Sequence, residues 1–301
     1  MVIILNRKML MKKRYLLLLL LTGLLFGIAS CSSAKKTILL MPLVEQQMEL
    51  GPRIPGSEAH VRFIDQTTAD LESAGWTVSS EAAVFQKKTV RNIIAEKGAD
   101  SASSWIVIGA HYDSRITADQ EKLSENKKKA VPAANDGASG AAVLLGLAKT
   151  LPDLPDKKIT LAFFDAEDQG KVMGWPDWCL GSRLLAEEYG ARERKPDAVI
   201  VIDMIGDADL NIHREKNSDK ELTDILFGIA KKQGYSGQFI DSEKYAMYDD
   251  HMPFIEQGIR AADLIDFDYR WWHTLEDTAD KLSEESLQAV YRVLYAYLTE
   301  K

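Results

Sequence analysis

Histidines and carboxylates recur at the ends of apolar runs in this sequence. His111 and Asp113 close WIVIGAHYD, Asp165, Glu167 and Asp168 close KITLAFFDAED, and Asp203 closes DAVIVIDM. Asp136 in AANDGASG, Asp249 in DDHMPF and His273 in WWHTLED extend the series. Acids spaced as closely as Asp165, Glu167 and Asp168 repel one another and resist burial unless a cation or a proton holds them. Imidazole nitrogen combined with carboxylate oxygen is a borderline donor set that suits zinc better than calcium or magnesium. Taken singly, these residues have plainer uses: Asp136 as a cap for the helix after Gly137, Glu167 as a solvated loop acid, His273 as an aromatic packed beside Trp271 and Trp272. It is their recurrence at successive strand ends that points to a metal centre. The chain has only five histidines, and His111, His251 and His273 all sit among acids.

The elements that must position these residues are legible as periodicity. RIPGSEAHVRFIDQTTADLESAGW reads as a turn and an amphipathic helix with Val61, Ile64 and Leu71 on one face. Extended stretches follow around WTVSSEAAVF and VRNIIAEKG, and the apolar runs ending at His111, Asp165 and Asp203 read as buried strands. Helices are expected over residues 140–151, GSRLLAEEYG, residues 219–233, the stretch starting at DDHMPF, and residues 283–298, with a further strand at RAADLIDF. Apolar strands alternating with helices imply an α/β fold: a mixed, mainly parallel central sheet with helices on both faces. Ligands in such sheets collect at the carboxyl ends of the strands. Residues 116–132, rich in Lys and Glu without periodicity, read as an exposed, solvated insertion.

Lys12, Lys13 and Arg14 precede YLLLLLLTGLLFG, and IASC follows, the charged, apolar and small-residue plan of a secretion signal, with Met1 or Met11 as its start. The apolar run is about a dozen residues, short of the roughly 20 that span a bilayer. The expected organisation is a signal over 1–30, Cys31 and a tether over 31–45, and one catalytic domain over 46–301. The segment before Cys31 holds five of the 37 basic residues and no acid, leaving 32 basic against 45 acidic residues, a net charge of −13. That balance argues against a nucleic-acid partner. The one other cysteine, Cys179, reads as a small buried side chain. No G-x-S-x-G elbow, Walker loop or dinucleotide-binding glycine pattern occurs in the required context.

The motifs GAHYDS, NDGASG, FFDAED, LGSRLLA, DMIGD, DDHMPF and WHTLED, in that order over about residues 50 to 300, resemble the superfamily of zinc-dependent aminopeptidases and glutaminyl-peptide cyclotransferases. In the cyclase branch the resemblance implies one zinc held by Asp136, Asp168 and His273, with Glu167, Asp203 and Asp249 handling protons and Trp175 and Trp272 against the substrate. In the aminopeptidase branch it implies two zinc ions, His111 and Asp203 joining Asp136, Asp168 and His273, with Glu167 as the base. The tryptophan before His273, Trp175 after the acid pair and the double acid of DDHMPF favour the cyclase, whose partners are peptides or proteins with N-terminal glutamine. A binding protein without turnover is the third reading, and the intact Glu167 and ligand set oppose it. One departure stands out: the family commonly has two glutamates where this chain has Glu167 and Asp168, so the metal or backbone must shift to meet the shorter side chain. IASC also resembles the lipobox of bacterial lipoproteins, which implies lipidation at Cys31, export, and a catalytic domain facing the periplasm or exterior from a membrane anchor.

Overall fold

The computed structural model describes residues 38–171 and 177–300. In chain order its elements are α1 (Met41–Leu50), α2 (Glu58–Ser73), β1 (Thr77–Ser79), β2 (Ala83–Phe85), β3 (Lys88–Val90), β4 (Ile93–Lys97) and β5 (Ser104–His111). Then come α3 (Ala138–Thr150), β6 (Lys157–Phe164), α4 (Leu180–Gly190), β7 (Ala198–Asp203), β8 (Ile212–Arg214) and α5 (Lys220–Lys232). The chain continues through β9 (Phe239–Glu243), α6 (Met252–Glu256), β10 (Ala261–Ile265) and α7 (Glu284–Thr299).

Six strands form the central sheet in the order β1-β4-β6-β5-β7-β10. The β6, β5, β7 and β10 strands pair in parallel, while β4 runs antiparallel to both β6 and β1. The parallel strands lack alternating polarity because both sheet faces are covered. In β5, Ile106, Ile108 and Ala110 enter the core on one face, and Trp105 and Val107 enter a second core on the other. In β7, Ile200 and Ile202 face the first core and Val199 and Val201 the second. The larger core takes in α1, α2, α3, α5 and α7; the smaller one takes in Leu185, Ala186 and Tyr189 of α4 and Phe254 of α6. Because the four parallel strands share one direction, their acid-bearing carboxyl ends line one edge of the sheet. That edge carries His111, Asp165 and Asp203.

Several expectations are corrected here. The folded unit begins at Ile38, so residues 38–45, read as tether, belong to it: Leu40 and Val44 are buried, and Gln47 donates to the Ala138 carbonyl at 3.0 Å. In α2 the buried stripe is His60, Phe63, Ile64, Thr67 and Leu71. Val61 lies at its margin, 40% exposed, because the stripe follows i, i+3, i+4, i+7 from His60. Ser57, not a periodic residue, starts this helix by accepting from the His60 amide at 3.2 Å. The β8–β9 pair forms a small separate sheet that no periodicity announced. No helix among the described residues is long and apolar enough to cross a membrane.

Where α3 crosses the sheet, the spacing is set by Gly140. A Cβ there would lie 2.7 Å from Ala110 Cβ and 2.8 Å from the Ile202 carbonyl oxygen, so the helix rests directly on β5 and β7 behind the acidic edge. Gly140→Ala is expected to destabilise the fold by about 1–3 kcal/mol through overpacking, read as a lower urea midpoint at unchanged slope.

Candidate active site

The acidic edge is first a problem of burial. Asp113, Asp136, Asp165, Glu167, Asp168, Asp249 and Asp277 are all buried, and some are satisfied by donors that fix the surrounding loops. Asp165 accepts from the Arg91 amide at 2.7 Å and pairs with His60 Nε2 at 2.8 Å, so it anchors the end of β6. The Asp113 carboxylate accepts from the amides of Glu167 at 3.0 Å and Asp168 at 3.3 Å, and from Gln169 Nε2 at 2.8 Å. Asp277 does the same for the Asn135 and Asp136 amides, at 2.8 and 3.2 Å, while Tyr269 donates its hydroxyl at 2.8 Å. The Arg53 guanidinium, fully buried, ties the carbonyls of Tyr112 and Ala133 together at 2.8 and 2.7 Å.

These ties hold backbone that is otherwise unfavourable. Among the described residues seven non-glycine positions have left-handed φ, and Ala133, Ala166, Cys179, Met204 and His273 of these lie beside or within the acidic edge. Each such residue costs of order 1 kcal/mol or more and persists where its surroundings over-determine it. Gly137, at φ +105°, completes the turn into α3; a Cβ there would press on the Asp113 carbonyl at 2.9 Å and the His111 ring at 3.1 Å.

The acids without such donors converge on each other. One ligand atom each from Asp136, Asp168 and His273 lie within 4.8 Å of one another, and the same holds for His111, Asp136 and Asp203. His273 Nε2 stands 3.1 Å from Asp168 Oδ1 and 3.5 Å from Asp136 Oδ2. His111 Nε2 stands 3.1 Å from Asp136 Oδ1 and 3.2 Å from Asp203 Oδ1. Asp136 Oδ2 is buried without a hydrogen-bond partner. An orphaned carboxylate oxygen facing an imidazole and a second carboxylate is the donor set of a zinc site, so the residues fit that metal.

Glu167 lies beside this group. Its carboxylate accepts from the buried Cys179 thiol at 3.5 Å, and Oε2 is 3.9 Å from His111 Nδ1. Burial foremost, then the charge of Asp168, pushes the Glu167 carboxyl well above the ordinary range. Burial, reinforced by Asp136 and Asp249 against the opposing His111, pushes Asp203 up to about 7. His273 is lowered by burial, but Asp168 and Asp119 outweigh that and carry it up to about 9. A divalent cation among these groups reverses that balance and favours the ionised carboxylates. The cavity that Glu167 faces holds about 290 Å³ and is lined by Asp136, Asp168, Asp203, Asp249 and His273 on its polar side. Met204, Met247, Tyr248, Ile265, Phe267, Trp178 and Trp272 form the remaining wall.

The structure therefore brings together Asp136, Glu167, Asp168, Asp203, Asp249, His111, His273 and Trp272. Trp175 and Cys31 lie outside the described residues. Trp271 is half-buried and stacks under Arg270 and Lys281 instead of lining the cavity. His251 belongs to a separate buried group with Asp249 and Asp263, its Nε2 3.2 Å from Glu215. The solvated-loop reading of 116–132 is corrected in part: its lysines are exposed, but Ala118 and Val131 are fully buried and Asp119 reaches His273 Nδ1 at 3.0 Å. Asp119, Arg115 and Trp178 are site residues that sequence reasoning missed: no periodicity marks them, and the dense charge around Asp119 and Arg115 reads as surface.

The sequence matches peptidase family M28 over residues 92–298, and the chain belongs to that family. A glutaminyl-peptide cyclotransferase of Boiga irregularis is 26% identical, covering 84% of this chain and 77% of its own length. Among solved structures, Porphyromonas gingivalis glutaminyl cyclase superposes with a TM-score of 0.82 at 30% identity, over 87% of this chain and 96% of that one. A zinc-dependent exopeptidase from Parabacteroides distasonis gives 0.79 at 25% identity, over 87% and 97%.

Because Asp136 belongs to both ligand groups, Asp136→Asn is expected to weaken zinc binding by more than about 100-fold, beyond the loss that an outer-shell residue causes. Competition against a chromogenic chelator measures it, and retention of tight binding would remove Asp136 from the site.

Proposed function

We propose that the protein is a zinc-dependent glutaminyl-peptide cyclotransferase, converting N-terminal glutamine of peptides or proteins to pyroglutamate with release of ammonia. The observation that carries this reading is a metal-competent trio, Asp136, Asp168 and His273, facing one small aromatic-walled cavity together with Glu167 and the additional acid Asp249. The likeness to glutaminyl cyclases in sequence and in structure supports it. Held by Asp136, Asp168 and His273, a single zinc supplies Lewis-acid polarisation of a carbonyl oxygen.

The cavity walls supply confinement. Trp272, Phe267 and Ile265 give a glutamine side chain a dry, apolar surface on which to fold back toward its own α-amine, which converts the attack into a pre-oriented intramolecular step. The α-amine nitrogen bonds to the γ-carboxamide carbon, and the bond from that carbon to the amide nitrogen breaks. Glu167 takes the proton that the amine loses and returns it to the departing nitrogen, so ammonia leaves and no water is consumed. A carboxyl held in a buried, acidic neighbourhood has the raised proton affinity that such a shuttle needs. Asp203 and Asp249 line the same cavity as Glu167 and accept hydrogen bonds from the substrate's neutral α-amine or from the Glu167 carboxyl.

The second reading is a two-zinc aminopeptidase, favoured by the convergence of His111, Asp136 and Asp203 and by the likeness to a zinc-dependent exopeptidase. We read the segment before Cys31 as an export signal and Cys31 as a lipid anchor that leaves the catalytic domain at the periplasmic or outer face of a bacterial membrane. The support is the basic cluster, apolar run and IASC sequence. Labelled fatty acid should enter the expressed chain and be absent from Cys31→Ser.

A peptide beginning with glutamine is expected to lose one ammonia on incubation with the protein, followed by mass spectrometry; loss of a whole residue would establish the aminopeptidase reading instead. Glu167→Gln should lower kcat by about 10²–10⁴-fold while zinc content per chain stays as in the wild type. Survival of near-wild-type turnover in that variant removes the proton shuttle from Glu167.

A further inference from the structure

The segment between β5 and α3 reaches the site through Arg115 and Asp119. Asp119 Oδ1 lies 3.0 Å from His273 Nδ1. Its second oxygen accepts from Arg115 Nε at 3.1 Å and Nη2 at 2.5 Å. The same guanidinium donates through Nη1 to Asp168, at 3.2 Å to Oδ1 and 3.1 Å to the carbonyl oxygen. Arg115 is 3% exposed, so this is an interior bridge. The next two residues hold the backbone at and after His273: the Gln120 amide donates to the His273 carbonyl at 3.3 Å, and Glu121 Oε1 accepts from the Leu275 amide at 3.0 Å.

His273 needs such restraint. Its φ of +56° is left-handed, uncommon outside glycine although histidine adopts it more readily than most residues, and it persists where the surroundings hold it. Trp272 stacks on the imidazole with ring centres 3.8 Å apart, and Trp178 lies parallel to it at 6.1 Å with its own ring under Arg115. Stacking fixes the plane of the ring but does not distinguish its two edges. A carboxylate can only accept, so the nitrogen that faces Asp119 must carry the proton. The neutral ring then has its lone pair on Nε2, the atom turned to Asp136 and Asp168.

We propose that Asp119 is a positioning residue of the metal centre: it fixes His273 in the Nδ1–H form and, through Arg115, ties that ring to the carboxylate of Asp168. The bridge also answers the shortened side chain at position 168, since Arg115 holds both its backbone carbonyl and its Oδ1. The inference rests on the reading of Asp136, Asp168 and His273 as zinc ligands.

The test is zinc affinity by chelator competition on the full catalytic chain, paired with ¹⁵N-imidazole spectra of the metal-free protein recorded above the His273 pKa of about 9, where the ring is neutral. Asp119→Ala should bind zinc about 10–100-fold more weakly than the wild type and lose the Nδ1–H signature of His273. Asp119→Asn, whose Oδ1 still accepts the Nδ1 proton, should recover that signature and part of the affinity. Asp119→Ala with undiminished zinc affinity, or with the Nδ1–H signature intact, overturns the proposal. If Asp119→Ala does not fold, wild-type affinity in Asp119→Asn together with Arg115→Met overturns it, and weakened binding in that pair supports it. A wild-type chain that binds no zinc instead overturns the metal reading on which the proposal rests.

Discussion

Anionic side chains buried at one edge of a sheet repel each other unless something positive or a donor meets each of them. That constraint divides the acids of this site into two populations. Asp113, Asp165 and Asp277 are met by backbone amides, a histidine, a glutamine amide and a tyrosine hydroxyl. They act as clasps between loops that leave different strands. Asp136, Glu167, Asp168, Asp203 and Asp249 have no comparable supply, and these are the acids that line the cavity. The division is physical rather than positional: Asp165 and Glu167 are two residues apart, yet one is met by a histidine and a backbone amide and the other only by a thiol at 3.5 Å.

The clasps also explain how strained backbone survives at the site. Ala166 is left-handed between Asp165 and Glu167. The turn is held because Asp165 is fixed on one side, Asp113 takes the Glu167 and Asp168 amides on the other, and the amides of Cys179 and Leu180 return to the carbonyls of Glu167 and Ala166 at 2.9 and 3.2 Å. Met204 is left-handed after Asp203, where Asn135 accepts the Gly206 amide at 2.7 Å and donates to the Met204 carbonyl at 3.2 Å. Reversing the chain sharply at each strand end lets successive acids turn into one cavity, and the hydrogen bonds that fund the turns come from the acids that do not.

What was legible in the sequence follows from the same logic. Strands covered on both faces are continuous apolar runs, so β5, β6 and β7 and the acids that end them stood out, and motif order brought the ligands and Glu167 together. The α1 helix did not stand out, because its first half lies inside the segment read as tether and it buries only a narrow stripe, Val44 and Gln47. Asp119 and Arg115 were invisible for a sharper reason. A buried ion pair and an exposed one have the same composition, and in a stretch crowded with Lys and Glu only the tertiary fold tells Asp119, against His273, from its solvated neighbours. Val61 shows the converse error: an apolar residue at helical spacing lies just off the stripe that His60 and Thr67, both polar, help to define.

The two histidines of the site differ in how they are backed, and the difference bears on which ligand group is the better supported. A ligating imidazole is normally supported at its other nitrogen by an acceptor that fixes its tautomer. His273 has that support: Nδ1 faces Asp119 at 3.0 Å, leaving Nε2 free toward Asp136 and Asp168. His111 does not, because its Nδ1 is buried without a hydrogen-bond partner and its nearest carboxylate, Asp113, is 3.5 Å away and already accepts from three other groups. The ring is better placed to donate from Nε2 to Asp203 or Asp136 than to ligate through it. An imidazole that spends its Nε2 proton on Asp203 keeps that acid beside Glu167 as a hydrogen-bonding partner. Of the two ligand groups, the one built on His273 therefore has the firmer outer support, and it is the one to which the proposed zinc is assigned.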